Sequence, residues 1–403
     1  MRYKSSLLGL LFVFAQQFLS AQGAWNKKAD FGAGNYDYST GFSIGGKGYI
    51  GTGRDSIYNL SNSFWEYDPI TNVWTQKADF GGVARAGAVG FSIGSKGYLG
   101  TGESGSVLLN DFWEYDPSTN IWTSKANFGG VPRFYATGFS IGGKGYIGTG
   151  DTTAAADYVN DFWEYDPVAD NWVTLPAFPG AGRGPGVGFS IGLRGYFGTG
   201  NAEGTDLPTR DFWEYDPSAH QWTKKADLPV GKCAAAGFSI GGKGYIGTGV
   251  DSTSGYPLSA NFWEYDPVAD TWSSKPDFGG IARKHAVAFS IGSKGYLGTG
   301  TGTKDFWEFD PTAVSVSEII VGNSVSFYPN PMSESTTFQL KGPQMNSPLE
   351  FLLFDLRGNL LRKITIKNLR FIFQREGLSN GMYIFRIANE KEIVSQGKIL
   401  VVD

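Results

Sequence analysis

Along the chain, short apolar runs alternate with tight polar turns. From Gly87 to Ile93 the residues are small or apolar, Gly94-Ser95-Lys96-Gly97 has turn chemistry, and Tyr98-Leu99-Gly100-Thr101-Gly102 resumes the apolar pattern. A variable segment precedes Phe112 to Tyr115, and Asp116-Pro117-Ser118-Thr119-Asn120 supplies a second turn before Ile121-Trp122-Thr123. Runs of this length, rich in aromatic and β-branched residues and bounded by Gly, Pro, Asn and Asp, predict strands. The unit therefore reads as four short strands with tight turns after the first and third.

The unit recurs. Phe-Trp-Glu-Tyr-Asp-Pro stands at Phe64 to Pro69, Phe112 to Pro117, Phe162 to Pro167, Phe212 to Pro217 and Phe262 to Pro267, and Phe-Trp-Glu-Phe-Asp-Pro at Phe306 to Pro311. The steps are 48, 50, 50, 50 and 44 residues. A period near 50 predicts a propeller or a solenoid. The ends decide between them. The first five copies are followed nine residues past their own tryptophan by another, Trp74, Trp122, Trp172, Trp222 and Trp272, whereas the sixth has Val316 there. An orphan, Trp25, precedes the first unit, in a context that parallels the one around Trp74. The expectation is an all-β ring of six blades over residues 22–311, its last sheet completed by the N-terminal strand. Closure removes the open edges that invite aggregation.

After Pro311 the pattern stops. Residues 312–322 read as a linker, and 323–403 as a small β-sandwich, with alternating runs at Thr337 to Leu340, Glu350 to Asp355 and Met382 to Ile387. At the other end, Arg2 and Lys4 precede an apolar run from Leu7 that reaches a small residue at Ala21. Residues 1–21 are expected to be a signal peptide, because the run is too short to span a bilayer. No other stretch approaches about 20 apolar residues, so no membrane span is expected in the mature chain.

Composition adds exclusions. A net charge of −4 offers no field to recruit nucleic acid, and a lone Cys233 forms no internal disulfide. His220 and His285, the two histidines, fall on opposite faces of the expected ring and share no metal. No cofactor or metal is expected. The six equivalent glutamates, from Glu66 to Glu308, suit structural hydrogen bonding, since catalysis needs unequal environments.

Gly-Tyr-Ile-Gly-Thr-Gly closing the second strand, Tyr-Asp-Pro after the third and a tryptophan in the fourth resemble the kelch repeat, with Gly-Thr-Gly where that repeat carries adjacent glycines. Tyr328-Pro329-Asn330-Pro331, Phe354-Asp355-Leu356-Arg357-Gly358, Leu378 to Tyr383 and the terminal Lys398 to Asp403 together resemble the C-terminal sorting domain of Bacteroidetes type IX secretion cargo. That resemblance implies interaction with the secretion machinery, export, and a secreted or cell-surface location. An ordinary Ig-like adhesion or carbohydrate module is the alternative for this domain.

The variable segments, Arg54 to Ser63 and its five counterparts, share one rim of the expected ring. Six residues before each first-strand phenylalanine stand Arg85, Arg133, Arg183, Lys232 and Arg283, with Tyr36 in the first unit. Cations so placed would encircle the channel mouth and hold an acidic ligand, a use that the resemblance to peptide-binding kelch propellers also implies. Alternatively each pairs with the acid before strand three: Asp111, Asp161, Asp211 or Asp305. Aromatics including Tyr36, Tyr38, Tyr58 and Tyr135 would stack on sugars. Two functions stay open: a surface binding protein for a glycan or protein ligand, or a secreted carbohydrate-active enzyme of the epimerase kind, drawing on Asp37, Asp157, Asp206 or His285.

Overall fold

The computed structural model describes residues 23–153, 157–313, 325–328, 330–340, 349–389 and 393–403. The expected signal peptide, residues 1–21, and residues 314–322 of the expected linker lie outside these. The chain divides into two compact units at Val314 and Ser315.

Six four-stranded antiparallel sheets make up the first unit. The second blade is representative: Val89–Ile93, Lys96–Gly100, Phe112–Asp116 and Ile121–Lys125 pair in chain order. The sixth blade uses Val287–Ile291, Lys294–Gly298 and Phe306–Asp310, and its outer strand is Ala24–Lys27, with Trp25 opposite Phe309 and Lys27 opposite Trp307. The N-terminal strand closes the ring.

The repeated phrase packs the blades together. The strand-three phenylalanine of each blade sits under the tyrosine and tryptophan of the next, as in Phe64 against Tyr115 and Trp122, with ring centroids 4.9 Å apart in both contacts. At the seam Phe262 meets Phe309 and Trp25 at 5.1 and 5.0 Å, so the orphan tryptophan takes the same place as its sisters. Its indole N–H donates to the carbonyl of Pro276 across the blade boundary, as Trp122 donates to Ala78. Edge-on aromatic contacts of this kind add specific attraction to the burial of the rings.

Blades converge on the axis, where only small residues fit. A Cβ on Gly97 would come within 2.3 Å of the Phe42 ring of the preceding blade. Ala88, Ala136, Ala235 and Ala286 line an axial channel of 160 Å³. The repeated glutamates are structural: each accepts a hydrogen bond from the tyrosine of the neighbouring strand, Tyr98 to Glu114 at 2.6 Å for instance.

The second unit stacks the three-stranded sheet of Val325–Tyr328, Ser335–Leu340 and Arg370–Gln374 on the four-stranded sheet of Leu360–Ile366, Leu349–Phe354, Gly381–Ala388 and Ile393–Val401. Phe338, Phe351 and Phe385 are fully or almost fully buried and form its aromatic centre.

Candidate functional site

The cations expected at the channel mouth are not exposed there. Arg85, Arg133 and Arg283 are 0% exposed, Lys232 likewise, and Arg183 is 2% exposed. Each arginine lies over a phenylalanine and pairs with the acid before its strand three, as when Arg85 donates to both Asp111 oxygens at 2.6 and 2.7 Å and to the carbonyl of Thr101 at 2.9 Å. Burial opposes the ionised carboxyl of Asp111, but the Arg85 guanidinium outweighs it and holds the group below the ordinary carboxylate range. Burial without a partner would be prohibitive, so the acid and the cation come as a pair.

The pairing also accounts for the repeated Gly-Thr-Gly. Its threonine adopts a left-handed backbone, φ 59° at Thr101, which turns the carbonyl onto the guanidinium. The following glycine, φ 94° at Gly102, donates its N–H to the carbonyl of Arg133 in the next blade at 2.7 Å. The same bond links Gly53 to Arg85, Gly150 to Arg183, Gly200 to Lys232, Gly249 to Arg283 and Gly300 to Tyr36, and so runs around the whole ring. Tyr36 therefore stands in the scaffold position of the buried cation and packs edge-on against Phe31.

Two blades depart from the rule together. In the fifth, Asn261 replaces the acid, and Lys232 turns instead to Asp251 at 2.5 Å, which Asn261 also contacts at 2.8 Å. In the first, Ser63 replaces it. In the other four blades the acid accepts the indole N–H of the tryptophan two residues on, and in these two Trp65 and Trp263 have buried indole N–H groups with no partner among the described residues.

What the mouth does present comes from the position two residues later. Tyr38, Gly87, Tyr135, Pro185, Ala234 and His285 are equivalent, four residues before each first-strand phenylalanine, and together they line a cavity of 110 Å³. Backbone bonds join neighbours, Gly87 to Tyr38 and His285 to Ala234. Five of the six have left-handed φ, between 50° and 62°. For Tyr38, Tyr135 and His285 that conformation costs about 1 kcal/mol or more each, and such strain collects at functional sites.

The three rings are nearly parallel. Tyr38 and His285 have centroids 3.9 Å apart, and Tyr135 lies 5.6 and 5.7 Å from them. The Arg54 guanidinium covers Tyr38 at 4.1 Å and is paired with Asp37 at 3.0 Å. Burial, with Lys284 and Arg54 nearby, lowers the His285 pKa to about 3, so the imidazole is neutral at ordinary pH. Burial raises the carboxyls of Asp37, Glu103 and Asp151, Arg54 opposing it at the first two.

Of the sequence candidates, then, Tyr135 belongs to the mouth, while Arg85, Arg133, Arg183, Lys232, Arg283 and Tyr36 belong to the frame beneath it. His220 fills a turn position and bonds Tyr215, as Asn120 bonds Tyr115. Cys233 is buried, which raises its thiol to about 11 and leaves it unreactive. Among the described residues, no group of three or more His, Cys, Asp or Glu is placed to hold a metal ion, and no helix is long and apolar enough to cross a membrane.

Comparisons with known proteins agree with this architecture. A solved β-propeller described as the structure of YjhT is similar to this chain with a TM-score of 0.58 at 16% identity, over 70% of this chain and 96% of that one. That likeness shows the fold alone. No curated protein matches. Residues 326–402 match the model of the secretion system C-terminal sorting domain. The chain thus joins a six-bladed β-propeller to a C-terminal sorting domain that marks it for export by the type IX system to the cell surface or beyond.

Proposed function

We propose that the exported protein is a non-catalytic binding protein that engages a glycan at the channel mouth. The observation that carries this reading is the trio Tyr38, Tyr135 and His285, three near-parallel rings held over an open cavity by strained backbone. Planar rings with polar edges suit a sugar, whose apolar face stacks while its hydroxyls bond. An acidic ligand was expected from cations that are in fact neutralised inside the blades, and that reason lapses.

The carbohydrate-active alternative has less support. Asp37 is committed to Arg54, and Asp206 accepts hydrogen bonds from Tyr158 and Asn201. A glycan array probed with the full chain, followed by calorimetry on any hit, tests the reading. Binding without turnover is the expected result, and chemical conversion of a bound sugar would refute it.

A further inference from the structure

The mouth is filled unevenly. Rings stand at blades one, three and six, whereas Pro185 and Ala234 leave the cavity open on the side of blades four and five. At 110 Å³ it is far smaller than the roughly 300–1,000 Å³ of sites for drug-sized ligands, so it admits one small ring and not an extended segment. Among the described residues no side chain hydrogen-bonds either ring nitrogen of His285, although that residue borders the cavity. A neutral imidazole carries one donor and one acceptor, the complement of a sugar hydroxyl. The charges acting on His285 are Arg54 and Lys284, and Asp37 and Glu103 lie against Arg54, two positive and two negative, so the mouth carries no net charge to draw an anion.

Resting on the glycan-binding reading, we infer that this cavity selects the terminal residue of an uncharged glycan and that His285 is its specificity-determining contact. The open side of the mouth gives a direct test. Ala234 shares its left-handed backbone with Tyr38, Tyr135 and His285, φ 50° against 55°, 58° and 56°, so a ring at this position is a conformation the fold already uses three times. Ala234→Tyr would fill the cavity, and His285→Phe would keep the stack while removing the hydrogen bonds.

The full chain and both variants, each with its unfolding midpoint measured, are titrated with oligosaccharides ending in neutral hexoses and with matched ones ending in uronic or sialic acid. Neutral termini bound by the wild type, about tenfold weaker with His285→Phe and not detectably with Ala234→Tyr, is the expected result. Acidic termini preferred, or neutral binding untouched by both substitutions in folded protein, would overturn the inference while leaving glycan binding intact. No binding of either class would overturn the glycan-binding reading together with it.

Discussion

Arg133→Met asks whether the buried cations are frame or site. Arg133 is 0% exposed, donates to Asp161 at 2.5 and 2.8 Å, to the carbonyls of Thr149 and Val131 at 2.8 and 3.0 Å, and lies 4.8 Å over Phe128. Methionine preserves most of the apolar stem, so packing on Phe128 is largely kept and the charge is what is lost. Breaking a fully buried pair costs about 3–5 kcal/mol, because the remaining charge stays buried and unpaired. The side chain of Asp161 is 35% exposed and regains water, which lowers the expected loss to about 2–3 kcal/mol. For a unit of this size that is roughly a 4–10 °C fall in unfolding midpoint. Thermal unfolding of the full chain measures it, with ligand binding followed separately well below the midpoint. Binding is expected to survive. A variant with unchanged stability that has lost the ligand would refute the argument and restore the cation to the site.

Other outcomes follow from the same geometry. In an Asp251→Ala background, Lys232→Arg with Asn261→Asp restores the arrangement of the sister blades and gives Trp263 an acceptor, and the pair should be more stable than the two single changes predict by about 1 kcal/mol in a double-mutant cycle. Trp25→Ala should lower stability by about 3 kcal/mol, matching Trp122→Ala within error, since the two indoles have equivalent neighbours; a neutral Trp25→Ala would mean that the ring is not closed by this strand. Asp68, Asp116, Asp166 and Asp266 are held below the ordinary carboxylate range by Lys47, Lys96, Lys144 and Lys243. Their contribution is present above about pH 4 and drains as the pH falls through the folded values, about 2 for Asp68, so replacing the four lysines by methionine should flatten the pH dependence of stability in that window. Because burial, with Lys284 and Arg54 beside it, lowers the His285 pKa to about 3, while Asp37 and Glu103 lie against Arg54, ligand affinity should be flat from pH 5 to 8; a drop centred near pH 6.5 would show an ordinary histidine.

The ring was legible in the sequence because its packing unit is spelled out six times. Phe64, Tyr115 and Trp122 are separate in the chain, yet each belongs to a run with strand periodicity, and Trp25 standing without its own phrase was enough to predict the seam. The sandwich was partly legible: the alternation at Thr337 to Leu340 and Glu350 to Asp355 marked strands, but Leu360–Ile366 and Arg370–Gln374 blur theirs by placing Leu360, Leu361 and Ile372 at exposed positions. The destination of the arginines was not decidable from spacing. An arginine aimed at the channel and one aimed at Asp111 occupy the same place in the repeat, and only the depth of the first strand below the rim separates them.

Identity across blades is itself the discriminator. A side chain repeated around a closed ring meets the same neighbours each time, so the ring selects it for packing, and the linked changes at Lys232, Asp251 and Asn261 show how tightly that demand couples positions. A ligand on the axis meets all six blades at once and, unless it has sixfold symmetry, needs something different from each. The position occupied by Tyr38, Gly87, Tyr135, Pro185, Ala234 and His285 is where the repeat stops repeating while the backbone does not: five of the six keep the same left-handed turn although Tyr38, Tyr135 and His285 are strained by it. Aligning the six units and asking which inward position varies would have found it without coordinates. The scaffold holds the backbone constant there so that the side chains alone can differ, and this is the arrangement by which a symmetric ring presents an asymmetric site.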